Sequence, residues 1–308
     1  MACFKPLKGY RQPSGKLTFD RKNSTGALME VPCGICIGCR LDYSQSWAIR
    51  CLHESSLYDD NCFLTLTYED SQIPSDLSLN KSHFQKFMKR LRERVKPRKI
   101  RFYHCGEYGT KYSRPHYHAL IFNYDFPDKR LWSYGQGKTP LYRSAQLESL
   151  WEFGWSTISD LTYASAAYAA RYSIKKIRGT AVDTIDPDTG LKPYERIDFY
   201  GEITTILPEY ATMSTGNVAG QGIGGEWYAQ FKDDVFPDDF VIYKGKRCRT
   251  PNYYRKLLEK SDPSMADSLR EIRAIQTKIH AADNTPARLA VREKCKQAQI
   301  DLLKRDFE

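Results

Sequence analysis

Residues 114–122 read Arg114-Pro115-His116-Tyr117-His118-Ala119-Leu120-Ile121-Phe122, and the fold turns on how this stretch is read. Proline lacks the amide hydrogen that a strand interior needs, so Pro115 suits the first position of a strand. Beyond it the run is apolar on both faces apart from the histidines, the composition of a central strand covered on both sides. Side chains alternate along a strand, so His116 and His118 point to one face and Tyr117 to the other. Two imidazoles at adjacent positions of one face can hold one metal ion. They can equally be packed histidines, and the surrounding sequence has to separate the two.

Upstream, residues 100–108 (Ile-Arg-Phe-Tyr-His-Cys-Gly-Glu-Tyr) carry a second strand pattern, with a turn at 109–114 between them. In a hairpin Glu107 lies across from the histidine pair and completes a His-His-Glu set. Two imidazoles and one carboxylate suit Mn²⁺ or Mg²⁺ when phosphate and water finish the shell. The same set serves non-haem iron oxygenases. His104 lies three residues before Glu107, so strand parity sends it to the opposite face and it reads as structural.

Working outward, 62–68 alternates as a strand. Residues 82–95 form an amphipathic helix with Phe84, Phe87, Met88, Leu91 and Val95 on one stripe and Lys86, Lys89, Arg90 and Arg94 off it. A short helix is expected near 144–152, an edge strand at 155–158, and a helix from about Thr162 to Ile177 with Gly179 as its stop. Residues 1–32 read as irregular, 180–200 as an inserted loop or hairpin, and the chain from 263 as helical, with Pro286 opening the last helix. The order implies an α+β fold: an antiparallel sheet with the metal site on its central strand, helices packed against it, and a helical C-terminal tail.

The helix after residue 162 carries Tyr168-Ala169-Ala170-Arg171-Tyr172-Ser173-Ile174-Lys175. Tyr168, Tyr172 and Lys175 share one helical face. Two core tyrosines would look similar, but basic residues one turn from each are unusual in a core. A phenol is a weak nucleophile at its ordinary pKa near 10. Cations stabilise the phenolate, and a metal-bound phosphate is a better electrophile. Tyrosine, cation and divalent metal are what transesterification of a phosphodiester needs.

The bulk numbers are compatible with that chemistry. The 308 residues carry a formal net charge of +10, which favours polyanionic partners. No apolar run approaches the ~18 residues needed to span a bilayer, and the N-terminus lacks the apolar core of a signal peptide, so a cytoplasmic protein with no membrane partner is expected. Nine cysteines, three of them at Cys33, Cys36 and Cys39, argue for metal or free thiols over disulfides. These three could ligate a structural Zn²⁺ with Cys3 as fourth ligand and His53 as the runner-up. Gly135-Gln136-Gly137-Lys138-Thr139 fails as a phosphate loop because residue 132, where the first glycine belongs, is tryptophan; no nucleotide cofactor is expected.

These motifs together resemble the HUH endonuclease superfamily, in particular the replication initiation proteins of small single-stranded DNA phages of the microvirus (gokushovirus) type. The similar stretches include Pro32–Arg40, Trp47–Glu54, Phe63–Tyr68, Gly106–Gly109, Arg114–Phe122, Tyr168–Lys176, Gly222–Gly224 with Trp227, and Tyr253-Tyr254, so the resemblance covers most of residues 3–260. It implies His116 and His118 as metal ligands and Tyr168 and Tyr172 as a nucleophile pair, with Lys175 and Arg171 as their cations. Arg171 stands where the family often has lysine; the charge is kept and the planar fork replaces a point charge. Glu107 as third ligand is a geometric inference. The resemblance divides the chain into a Cys-rich segment (1–60), an HUH nicking domain (61–250) with its insertion near 180–200, and a helical tail (251–308). It implies nicking of phage origin DNA through a 5′-phosphotyrosine, a free 3′-OH primer, and later rejoining, in the cytoplasm of a host bacterium whose helicase and DNA polymerase act as partners. A transposase or relaxase of the same superfamily, a non-catalytic zinc protein binding nucleic acid, and the iron oxygenase are the competing readings.

Overall fold

The computed structural model describes residues 3–14, 16–109, 112–177, 179–216 and 221–302, without the side chains at 136, 172–175 and 179–180. In chain order the elements are β1 (Leu7–Arg11), β2 (Leu17–Thr18), β3 (Leu28–Val31), α1 (Ile37–Ser55), β4 (Asn61–Thr67), α2 (Lys81–Arg94), β5 (Arg101–Tyr108), β6 (Pro115–Phe122), β7 (Arg130–Tyr134), β8 (Pro140–Arg143), α3 (Ala145–Leu150) and β9 (Ser156–Ser159). There follow α4 (Tyr163–Lys175), β10 (Glu195–Ile197), β11 (Ile203–Thr205), β12 (Tyr210–Met213), α5 (Gly225–Val235), β13 (Phe240–Tyr243), β14 (Lys246–Arg249), α6 (Asn252–Ser261), α7 (Pro263–Ile279) and α8 (Pro286–Asp301). Among the described residues, no helix is long and apolar enough to cross a membrane.

The chain divides into two compact units, one of Met1–Tyr43 with Asp262–Lys304 and one centred on Ser44–Ser261. In the first, β2-β1-β3 form a small antiparallel sheet. The stretch expected to be irregular is therefore partly a meander. Its strands span five residues or fewer, too short for alternation to register, and backbone pairing rather than an apolar face holds them.

In the second unit seven strands form one sheet in the order β12-β5-β6-β4-β9-β8-β7, with every pairing antiparallel. The apolar run at 115–122 is central, flanked by β5 and β4. On one face Leu64, Leu66, Tyr117, Ala119 and Ile121 pack with Phe84, Phe87 and Leu91 of α2 and with Leu147 and Leu150 of α3. On the other, Phe63, Tyr103, Cys105, Leu120 and Phe122 pack with Ala166, Ala169 and Ala170 of α4 and with Ala48 and Cys51 of α1. Alanines let α4 lie close to the sheet. A reciprocal cap starts that helix: the Ser165 amide donates to Thr162 Oγ1 at 3.2 Å and the Thr162 amide to Ser165 Oγ at 2.8 Å.

Three expectations are corrected. The strand near 155–158 is not an edge: β9 lies inside the sheet and β8 and β7 extend it. β7 is largely exposed and carries a bulge between Leu131 and Ser133, so no alternating pattern marks it. The Gly135–Thr139 stretch is its hairpin turn, with the Gly135 amide donating to the Thr139 carbonyl. The opposite edge is β12, four residues that pair with β5. Gly179 does not stop α4, which ends at Lys175; it opens a short 3-10 turn, Gly179–Asp183.

The Gly222-Ile223-Gly224 motif fastens α5 to the end of α1. Gly224 takes φ +77° and its amide donates to buried Glu54 at 2.7 Å; a Cβ there would sit 2.5 Å from the Tyr254 hydroxyl. Nearby, His53 stacks on Trp227 with ring centres 3.4 Å apart, and its Nδ1 lies 2.9 Å from the Tyr254 hydroxyl. Burial lowers the His53 pKa to about 3. Between pH 6.5 and about 3 the unfolded chain therefore binds a proton here that the folded chain refuses, and stability falls as pH falls through that window. We predict that His53→Gln flattens the acid side of the stability curve by up to about 1.4 kcal/mol per pH unit, measured by urea unfolding between pH 7 and 4.5; parallel curves would contradict it.

Candidate metal centre

The β5–β6 hairpin pairs Glu107 with His116 and Cys105 with His118. Opposed residues share a face, so the carboxylate and both imidazoles converge. Glu107 Oε1 lies 2.7 Å from His116 Nε2 and 3.0 Å from His118 Nε2. The three ligand atoms all lie within 4.8 Å of one another. Tyr117 points to the opposite face, where its hydroxyl meets that of Tyr68 at 2.7 Å. His104 also lies there, stacked on Phe84 at 3.4 Å with Nδ1 3.0 Å from Thr212 Oγ1, and burial holds it neutral.

The outer ring nitrogens show what the centre is suited to. His116 Nδ1 lies 3.1 Å from the Arg114 carbonyl oxygen. A carbonyl only accepts, so Nδ1 carries the hydrogen and a neutral ring turns its Nε2 lone pair toward Glu107. A lone pair and a carboxylate oxygen at 2.7 Å repel each other unless a proton or a metal ion lies between them. His118 Nδ1 is held by Thr65 Oγ1 at 3.1 Å. Ligand histidines oriented through their far nitrogens are the usual construction of a metal site. Burial pushes the Glu107 carboxyl up, but the bonds to His116 and His118 outweigh it and keep the group below the usual carboxylate range. Glu107 is thus an anion at neutral pH, the form a divalent cation requires. Sequence reasoning missed Thr65 and the Arg114 carbonyl; the alternation of threonines through Phe63-Leu64-Thr65-Leu66-Thr67 was the available signal.

α4 brings Tyr168 to the same face. Its ring stands edge-on to His118, with centres 5.0 Å apart and planes at 80°, and it is nearly buried. Arg171 lies three residues on and is exposed. Tyr172 and Lys175 follow on the same helix backbone, but their side chains lie outside the described residues.

In the other unit, Cys3, Cys33, Cys36 and Cys39 bring four sulfurs within 4.8 Å of one another. The pairs Cys33–Cys39 and Cys36–Cys3 are 4.0 and 3.9 Å apart, close to the ~3.8 Å edge of a tetrahedron of thiolates around zinc. Backbone amides of Phe4, Cys33 and Cys36 donate to the sulfurs of Cys36, Cys3 and Cys33, each at 3.3 Å. Against the upward push of burial, the amides of Cys39 and Phe4 bring the Cys36 thiol down to about 7. The set fits Zn²⁺. His53 is not its fourth ligand, because that ring is committed to Trp227 and Tyr254.

The family model for replication-associated proteins of the ORF2 type matches residues 61–177. The replication-associated protein VP4 of Bdellovibrio phage phiMH2K is 31% identical over 273 residues, covering 85% of this chain and 79% of its own. The replication-associated protein ORF2 of Spiroplasma virus 4 is 30% identical over 299 residues, covering 89% and 86%. This chain belongs to the family of these phage replication-associated proteins. A further member, ORF4 of Chlamydia phage 1, is 27% identical over 237 residues, covering 75% of this chain and 54% of its own. No solved structure matches. The family-model match opens with β4 and closes just past α4, so it holds the hairpin with Glu107, His116 and His118 and the helix with Tyr168.

Two measurements test these donor sets. Titration calorimetry with Mn²⁺ is expected to show one site per chain, weakened at least tenfold by His118→Ala and about tenfold by Thr65→Val, which removes only the orienting hydroxyl; Mn²⁺ affinity unchanged in both would exclude the centre. Elemental analysis of the purified chain is expected to find one zinc, absent after Cys36→Ser.

Proposed function

We propose that this chain initiates rolling-circle replication of a small single-stranded DNA phage by nicking origin DNA with Tyr168 and later rejoining the displaced strand. The observation that carries the reading is the Tyr168 ring standing 5.0 Å from that of His118, which sets a phenol beside a metal-type donor set. Glu107, His116 and His118 would hold Mn²⁺ or Mg²⁺, which supplies Lewis-acid polarisation of the scissile phosphate. The Tyr168 oxygen attacks phosphorus and gives up its proton. The bond to the 3′-oxygen breaks, and that oxygen takes up a proton as the 3′-OH primer. The 5′-phosphate stays esterified to the tyrosine.

Tyr172, one helical turn on, serves as the second nucleophile, so one phenol remains free while the other is esterified. Arg171 and Lys175 stabilise phenolate or phosphate charge. The four cysteines hold a structural zinc. The fold is of the HUH type, and the chain works in the cytoplasm of the host bacterium. It carries no phosphate loop of its own, so unwinding falls to a host helicase and extension of the 3′-OH to a host DNA polymerase. The family membership favours this reading over the iron oxygenase.

Supercoiled cognate phage DNA with Mn²⁺ or Mg²⁺ is expected to give an open circle and a covalent protein–DNA adduct mapping to Tyr168 or Tyr172. The Tyr168→Phe, Tyr172→Phe double variant should lose the adduct entirely while still binding DNA. Retention of nicking by that variant would favour another nucleophile, and no nicking by wild type with any divalent ion would favour a non-catalytic DNA-binding protein.

A further inference from the structure

The face that bears the metal ligands continues well past them. Glu107 is opposite His116, and His116 is opposite Thr67. Thr67 in turn exchanges both backbone hydrogen bonds with Trp155, at 2.9 and 3.0 Å. Directly opposed residues share a face, so Glu107, His116, Thr67 and Trp155 form one row across the sheet. Trp155 stands two strand spacings, about 10 Å, from His116. A second row runs parallel through Cys105, His118, Thr65 and Thr157. The pairing of Tyr142 with Ile158 brings Arg143 opposite Thr157, and Arg143 pairs with Arg130.

This half of the face is exposed and aromatic. Trp155 is 58% exposed and Trp132 64%. The Arg143 guanidinium lies between their rings in reach of both, 4.9 Å from the centre of Trp132 and 5.7 Å from that of Trp155. Glu148 accepts from Arg143 Nε at 2.6 Å and fixes the guanidinium. Trp132 sits in the β7 bulge, a device that re-aims a side chain. An open cleft of about 600 Å³ lies at the Thr67 end, lined by Thr67, Arg114 and Trp155 among others. Its acidic lining residues, Glu69 and Asp70, are engaged by Ser71 and Arg114.

Two exposed indoles bracketing a fixed guanidinium on a basic chain suit a ligand that offers flat aromatic faces and phosphates together. We propose that Trp155, Arg143 and Trp132 form a stacking track for unpaired DNA bases, which leads a single strand along the sheet to the metal centre. Bases in a duplex keep their faces covered, so the occupant is single-stranded DNA. The choice of DNA rests on the nicking reading above; the stacking geometry does not.

The test is fluorescence anisotropy of a labelled oligothymidylate with the full-length chain in EDTA, where no cleavage occurs. Trp155→Ala and Trp132→Ala are each expected to weaken binding about tenfold, within the range for loss of one stacked base, while Trp→Phe at either position retains most of the affinity. An abasic strand of equal length should bind wild type at least tenfold more weakly than the base-bearing strand, and that preference should collapse in the double alanine variant. Wild-type affinity in the double variant, no discrimination against the abasic strand, or equal competition by a duplex would each overturn the track. Because the readout needs neither metal nor cleavage, loss of the covalent adduct in the nicking assay leaves this result standing, and the converse also holds.

Discussion

The arrangement depends on the register of one hairpin. Glu107 faces His116 because β5 and β6 pair as they do; a slip of one residue on either strand would turn its side chains to the opposite face and scatter the ligands. Both faces of β6 are buried, so the register is set twice. On one side the Tyr117 hydroxyl is held by the Tyr68 hydroxyl and the Asn80 amide, and on the other Leu120 and Phe122 pack under α4 and α1. The turn contributes too. The Arg114 guanidinium engages the Tyr68 carbonyl, while the Arg114 carbonyl accepts from the Gly109 amide and from His116 Nδ1. The residue that closes the hairpin thus also fixes the tautomer of a candidate ligand.

A carboxylate with 1% exposure is costly unless compensated. Here the compensation comes from two imidazoles oriented from behind, by a carbonyl and by a threonine hydroxyl. The second requirement is a helix close enough to bring a phenol to that spot. Alanines at 166, 169 and 170 allow the approach, and Tyr168 is the large side chain among them that reaches the histidine row. Close packing and the placement of Tyr168 are therefore one feature of α4.

The two donor sets differ in kind, as their chemistry demands. Four sulfurs with amide donors suit a soft, closed tetrahedral site. Two nitrogens and one oxygen leave positions for other ligands and suit a harder cation that meets phosphate. They lie in separate units of the chain, so neither set borrows ligands from the other, and His53 is accounted for by its own aromatic stack.

Short-range pattern made much of this legible. Alternation at 115–122 gave the central strand and the shared face of His116 and His118; parity separated His104 from Glu107; helical spacing marked α2 and α4; and the Cys3 sulfur does lie with those of Cys33, Cys36 and Cys39. What escaped were elements whose stability comes from neighbours rather than from their own pattern. The first-unit meander, β7, β8 and β12 are short or exposed on one side, so hydrophobic periodicity has too few residues in which to appear. The interior position of β9 depends on strands that could not be seen, and so did the continuation of the ligand row to Trp155. Sequence by itself determined which residues can share a face, because that follows from the two-residue period of a strand and the 3.6-residue period of a helix. Only the tertiary structure decided which faces meet, since strand order, register and the approach of α4 are set by packing between segments far apart in the chain.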